Sequence, residues 1–332
     1  MQATRKRLSW STRSSFLLSV VMMAAASTAS AQAYPSRPIT LVNPYAAGAG
    51  VDPIARRVAQ KLSERLGQQV LVENKTGAAG MVGAAYVAKS KPDGYTIMMS
   101  AAGDVAINQH LYRSMQYDPE KDLAPITQAV RLPFLLVAHP SLPAANVREL
   151  VALAKAKPSG YSYASAGNGS LQHLAGAMFT ELAGITMVHV PYKAVAPALT
   201  DVLGGQVHTL FAGFPAAIPH VKSGKLRGLA VTSAKRLAVA NDIPTVAEQG
   251  MPGFEVTQWF GVFAPAQTPA DIIARLNKEF VAVITAPDMS EWLNAQGAEP
   301  VASSPQEFAG FLRAEIAKFG KLVKQSGATV DQ

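Results

Sequence analysis

Pro44-Tyr45-Ala46-Ala47-Gly48-Ala49-Gly50-Val51-Asp52 lies between a strand-like run at 39–42 and a helix-like run at 54–66. Glycine lets a backbone turn sharply and lets another molecule approach it closely. Asp52 followed by Pro53 reads as a helix start, an N-cap and then proline at the first helical position. Strand, glycine loop and helix N-terminus in succession aim backbone N–H groups at an anion. A related arrangement recurs downstream. Residues 161–165 are strand-like, Ala166-Gly167-Asn168-Gly169-Ser170 is the loop, and the chain is helical from Leu171. Two lobes that each present one such loop would hold a carboxylate-bearing ligand between them.

Around the first loop, Ile54, Val58, Leu62 and Leu66 form one apolar helix face, and Gly67 is placed to cap it. A strand at 70–72, a second glycine-rich turn at 73–80, a small-residue helix at 81–88 and a strand at 95–100 continue the pattern, with a strand-end loop at 101–104. This β-α-β-α-β alternation predicts a parallel sheet covered by helices. The polar, turn-rich run at 117–125 reads as the approach to a crossover, followed by a strand at 134–138. Asn146 with Glu149 opens the next helix, and Leu171, Leu174, Met178 and Leu182 form the face of the helix after the second loop. Strands at 188–190, 207–211 and 228–232 complete a second α/β unit, and a strand at 259–264 marks a second crossover. The remainder is helical: Thr268, Pro269 and Asp271 start one helix, and Ser304 with Glu307 forms a capping box for another. These late helices are expected to cover the sheet of the first lobe. The expected fold is therefore two-lobed α/β, each lobe a mainly parallel sheet with helices on both faces, joined by two crossovers. The predicted boundaries are 34–132 plus 259–332 for lobe 1 and 133–258 for lobe 2. In such sheets ligands bind outside the carboxyl ends of strands, where all these glycine loops fall.

Composition narrows the function. Arg5, Lys6, Arg7 and Arg13 precede an apolar run at 16–26 and small-residue cleavage patterns ending at Ala31 and Ala33. This is a secretory signal peptide over 1–33, too short in its apolar part for the ~20 residues of a membrane span. Those four bases account for half of the +8 formal charge, leaving +4 on the secreted chain. No basic tract of the kind nucleic-acid binding uses is present. The chain has no cysteine, which excludes disulfides and thiolate metal sites and suits a bacterial periplasm. The histidines have no metal-ligand spacing, so no metal and no cofactor is expected. The first loop lacks the Gly-Lys-Ser/Thr ending of a phosphate loop. A hydrolase reading of Ser170 fails for want of a Gly-x-Ser-x-Gly elbow and a placed acid.

The residues as a set resemble the substrate-binding proteins of tripartite tricarboxylate transporters, the Bug family of periplasmic receptors. The resemblance is carried by Tyr34-Pro35-Ser36-Arg37-Pro38-Ile39, the 44–52 loop, Val72-Glu73-Asn74-Lys75 and Pro92-Asp93-Gly94-Tyr95-Thr96. It continues in 163–170, His189-Val190-Pro191-Tyr192-Lys193, Leu203-Gly204-Gly205-Gln206, Gly224-Lys225-Leu226-Arg227 and Pro244-Thr245-Val246-Ala247-Glu248. It implies a Venus-flytrap fold, no enzymatic activity and capture of a small organic carboxylate, whether a di- or tricarboxylate or an aromatic acid. It implies delivery to a two-component membrane permease or, in some members, reporting to a sensor kinase. A monomer is expected. The sequence departs from the family's pattern at Ala49, Ala194 and Ala212; the last replaces an acid common in the family and tilts the ligand toward a plain or aromatic carboxylate.

The ligand-binding residues expected on this reading are Tyr45, Ala46, Ala47, Gly48 and Ala49 from the first loop. From the second they are Ser165, Gly167, Asn168, Gly169 and Ser170, with His173 and Tyr192. Tyr45 reads as a gate over the ligand and Tyr192 as a closing residue from the second lobe. Ser170 serves equally as a helix cap and as a contact. His173 reads first as a structural histidine bonding a neighbouring loop. Asp52 reads as a cap, because as an anion it would repel a carboxylate. Lys75 and Arg37 read as surface or structural charges, and Trp259 as hinge or core.

Overall fold

The structure, a computed structural model, describes residues 34–48 and 50–330. The expected signal peptide and Ala49 lie outside the described residues. The described strands and helices all lie in the compact unit that begins at Arg37.

Its first part runs β1 (Ile39–Asn43), α1 (Val51–Leu66), β2 (Val70–Asn74), α2 (Met81–Ala88) and β3 (Thr96–Ala101), then a π-helical turn (Gly103–Ile107) and α3 (Asn108–Leu111). β1 pairs in parallel with both β2 and β3, as the alternation predicts. α1 buries Ile54, Val58 and Leu62 and ends at Gly67 in the left-handed conformation. The small residues of α2 serve close approach: a Cβ on Gly83 would stand 2.8 Å from the Lys75 carbonyl and 2.9 Å from Pro44 Cα.

β4 (Leu123–Ala138) follows, with α4 (Val147–Ala156), β5 (Ser162–Ser165), α5 (Leu171–Ala183), β6 (Val188–Pro191), α6 (Val195–Leu203), β7 (Thr209–Gly213), α7 (Phe214–Lys222) and β8 (Arg227–Val231). β5 is parallel to β6 and β7. The capping of α4 is as expected, Asn146 accepting from the Glu149 amide. The buried face of α5 differs from expectation. Leu171, Leu174, Ala175 and Phe179 are buried, whereas Leu182 is exposed. The stripe turns toward Phe179 because its ring meets Phe211 and Phe254 edge-on or nearly so.

β9 (Thr257–Pro265), α8 (Ala270–Ile284), α9 (Pro287–Ala295), β10 (Glu299–Pro300) and α10 (Pro305–Ser326) complete the unit. The strands follow the order β2-β1-β3-β9-β4-β7-β5-β6, with β8 and β10 also on β4. β4 and β9 run antiparallel to their neighbours, so the parallel strands of each part meet at an antiparallel pair.

β4 is far longer than the expected five residues, and its first part occupies sequence that reads as turn. Pro125 and Pro133 lie within it. The register shifts between Pro125 and Thr127, and again between Gln128 and Val130, and such bulges are where a strand accommodates proline. The strand also changes partners. Pro133 pairs with Thr257 of β9, and Phe134 pairs with Gly213 of β7. The late helices lie where expected, on β9 and the first part of β4. Phe308 of α10 packs on Trp259 and Phe263, and Asn277 of α8 donates to the Ile126 carbonyl. Trp259 is fully buried and donates to Glu315 at 2.8 Å, which settles it as core.

Candidate functional site

The chain after β1 is held by one carboxylate. Asp52 is only 3% exposed. It accepts from the Gly48 amide at 2.8 Å, from Asn43 Nδ2 at 3.1 Å, from Asn74 Nδ2 at 2.9 Å and from Arg56 Nε at 2.9 Å. The Arg56 guanidinium and these N–H donors hold its carboxyl far below the usual range. Asp52 is thus not the N-cap expected from Asp-Pro. α1 begins two residues earlier than that, at Val51 with Gly50 as its cap, and Asp52 in the first turn braces the loop from inside. Asn74 also donates to the Tyr45 carbonyl, and the Tyr45 amide donates to Asn43. Gly48 has φ +80°, which its place in this turn requires. Among the described residues, the amides of Ala46 and Ala47 have no acceptor.

Tyr45 crosses from this loop to the π-helical turn, where its hydroxyl donates to Asp104 at 2.8 Å. Gly80 and Gly103 make room for it: a Cβ on either would stand 3.3 Å and 3.2 Å from the tyrosine's ring and oxygen. Asp104 is fully buried and also accepts from Ser100. Burial pushes its carboxyl up to about 6, against the hydrogen bonds from Ser100 and Tyr45.

The second loop is braced by neutral groups. Ser165, at the end of β5, accepts from the Gly167 amide and lies 2.6 Å from His189 Nε2. His173 Nδ1 accepts from the Gly169 amide at 3.1 Å. The rings of His173 and His189 stack at 3.8 Å. Burial lowers the pKa of both, that of His189 to about 4 with His173 contributing. Ser170 caps α5 by accepting from the His173 amide. Among the described residues, the amides of Ala166 and Asn168 have no acceptor.

A cavity of about 550 Å³ joins these parts. Tyr45, Asn168, Gly169 and Ser170 line it, and so does Ala166. Gly48, Ser165, Gly167, His173 and Tyr192 do not. Ala46 and Ala47 are exposed outside it, Ser165 is buried behind the loop, and His173 lines a second cavity with His189 and Glu181. The Tyr192 hydroxyl donates to Asp201 at 2.6 Å. Arg37 and Lys75 pair with Asp93 and Glu73, away from the cavity.

Several lining residues were not among the expected site residues; Leu111, Tyr112, Leu132, Phe134, Phe214 and Phe260 are among the large ones, and Asn108 and Gln258 add polar groups. Phe214 opens α7, a helix hidden in the sequence by Pro215 and Pro219. The starts of α1, α5, α6 and α7 all reach the cavity through Val51, Ser170, Val195 and Gly213. Among the described residues, no Asp, Glu, Lys, Arg or His lines it. The field there comes from peptide dipoles, whose positive ends favour an anion.

Comparison with known proteins fits this geometry. Residues 54–328 match the family described as tripartite tricarboxylate transporter family receptor. The chain is 36% identical to protein BugT of Bordetella pertussis over 304 residues, 91% of this chain and 93% of that one. It is 38% identical to a solved structure described as R. palustris Rpa4515 with adipate, with a TM-score of 0.77 over 90% of this chain and 100% of the other. A structure of MatC (Rpa3494) from Rhodopseudomonas palustris with bound malate is 30% identical, with a TM-score of 0.72 over 87% and 100%. Among the described residues no helix is long and apolar enough to cross a membrane. The fold is the two-lobed α/β fold of periplasmic binding proteins, and the chain belongs to the tripartite tricarboxylate transporter receptor family, whose members are solute receptors rather than enzymes.

Proposed function

We propose that the chain is secreted to the periplasm, captures a small organic carboxylate as a monomer and delivers it to a two-component membrane permease. The observation that carries this reading is the uncharged cavity on which four helix starts converge, next to a loop with unpaired amides at Ala166 and Asn168. Charge-assisted hydrogen bonds from such amides contribute about 1.5–3 kcal/mol each. Several of them support affinities on the order of micromolar. The partner change in β4 between Pro133 and Phe134 supports lobes divided at 132/133 and near 258. A ligand reaching both loops favours the closed arrangement, because only there are both sets of amides within its reach.

Ser170→Asp tests the reading. Aspartate is as good an N-cap as serine, so the melting temperature is expected to hold. Its charge at the start of α5 should weaken carboxylate binding at least about 10-fold. Unchanged affinity by calorimetry would remove this loop from the site.

A further inference from the structure

α10 touches two of the elements that build the cavity. Nε2 of His110, in α3, lies 2.9 Å from the Ile316 carbonyl. Gln325 Nε2 donates to Glu181 Oε1 of α5 at 2.7 Å. α3 lines the cavity through Asn108 and Leu111, and α5 through Leu171 and Gln172. Gly327, in the left-handed conformation at φ +63°, then turns the chain out of the helix, as glycine does without strain. Two cavities mark where the chain goes next. Gln325, Ser326 and Gly327 line the second one together with Asn168, and Val330 lines the first, again with Asn168. Residues 325–330 therefore pass the second loop on their way from one cavity to the other. Ala328 is buried, and its amide donates to Ser326 Oγ at 3.3 Å. Beyond it, among the described residues, no hydrogen bond holds Thr329 or Val330. Thr329 is exposed and Val330 is half-buried. A segment anchored at its root and held at its far end by apolar contact alone opens at little cost.

Resting on the reading of this chain as a solute receptor, we propose that residues 328–330 form a strap along the edge of the ligand cavity, with Val330 a residue that faces the solute and hinders its exit. The other walls belong to strands, helices and the loops between them, which cannot move without moving the fold. The strap can. The Gln325–Glu181 bond and the Ala328 amide fix its root, and the turn at Gly327 lies between them. In place, Val330 adds apolar area to the surface that a bound solute buries. Swung aside, it leaves the cavity open at that edge while both glycine loops keep their shape. Release of solute then depends on two events, the loss of the loop contacts and the displacement of the strap.

The experiment is stopped-flow measurement of binding and release, with adipate, malate, citrate and 3-phenylpropionate as probes. It compares the chain purified from periplasm and stripped of ligand with a chain ending at Gly327, and with Val330→Lys and Val330→Asp. Removing the strap is expected to speed release of every probe that binds about 10-fold without slowing its association. At low salt, Val330→Lys should tighten carboxylate binding about 3-fold and Val330→Asp should weaken it by as much. A residue that only supports the fold would shift both variants in the same direction. Unchanged release from the shortened chain, or lysine and aspartate acting alike, overturns the inference and leaves the receptor reading intact. Failure of the full chain to bind any probe overturns both. Should the shortened chain melt well below the full one, the lysine and aspartate pair decides alone.

Discussion

The two loops that flank the cavity are braced by opposite means. Behind residues 44–50 stands an ionised carboxylate, Asp52, with four N–H donors around it. Behind residues 166–170 stand two neutral imidazoles and a serine hydroxyl. Both arrangements free other amides of the loop by fixing its backbone without using them. They differ in what breaks them. A carboxylate brace fails only when protonated at low pH, and an imidazole brace fails earlier, because His173 Nδ1 can accept from Gly169 only while it carries no proton.

The largest effect expected from breaking this comparison is at Asp52. Asp52→Ala leaves Asn43, Asn74 and the Gly48 amide without their acceptor and should cost on the order of 3 kcal/mol. A fall in the urea midpoint at unchanged slope would show it; a loss under about 1 kcal/mol would mean that water replaces the carboxylate. Ser165→Ala removes one hydroxyl that serves both Gly167 and His189. It should cost about 1–2 kcal/mol and weaken ligand binding, whereas retained affinity would show that the second loop holds its shape without this brace.

Acid sharpens the contrast further. The folded pKa of His189, about 4, lies below its ordinary 6.5, so the unfolded chain binds the extra proton first. The stabilisation is whole above about 6.5 and is lost as pH falls toward 4. The Asp52 contribution is whole above its ordinary 3.8 and is lost only below that. Asp104 acts in the other sense: with a folded value near 6 against an ordinary 3.8, its contribution is whole below about 3.8 and is lost as pH rises through 6. Replacing both histidines with asparagine should therefore flatten the loss of stability between 6.5 and 4 and leave the fall below 4 in place. An identical profile would assign the mid-range loss to other groups. The smallest effect is expected from Tyr45→Phe, about 1 kcal/mol for one hydrogen bond to Asp104. A larger loss by thermal melting would mark this bond as a principal tie between the first loop and the π-helical turn.

Much of the fold was legible in the sequence because it rests on local periodicity and caps. The face of α1, the Asn146–Glu149 and Ser304–Glu307 pairs and the parallel strands around each glycine loop are all where their residues place them. What was hidden depends on partners distant in sequence or on proline. Asp-Pro has the signature of a cap, yet Asn43 and Asn74 recruit the aspartate as a brace, and no local pattern announces that. Pro125 and Pro133 disguise β4, and Pro215 and Pro219 disguise α7, although proline is tolerated at bulges and in a first helical turn. The site was legible to the same degree. The loop residues at 168–170 and Tyr45 reach the cavity, while its apolar lining comes partly from elements that proline concealed, through Leu132 and Phe214, and partly from strands legible in the sequence, through Phe134 and Phe260.

Asn168 is exposed at the rim of this cavity, on a chain without a single cysteine. A thiol introduced there would be the sole site for a sulfur-reactive fluorophore. The chain is therefore suited to become a reagentless optical sensor, in which dye emission follows solvent exclusion at the loop and reports ligand concentration without any coupled assay.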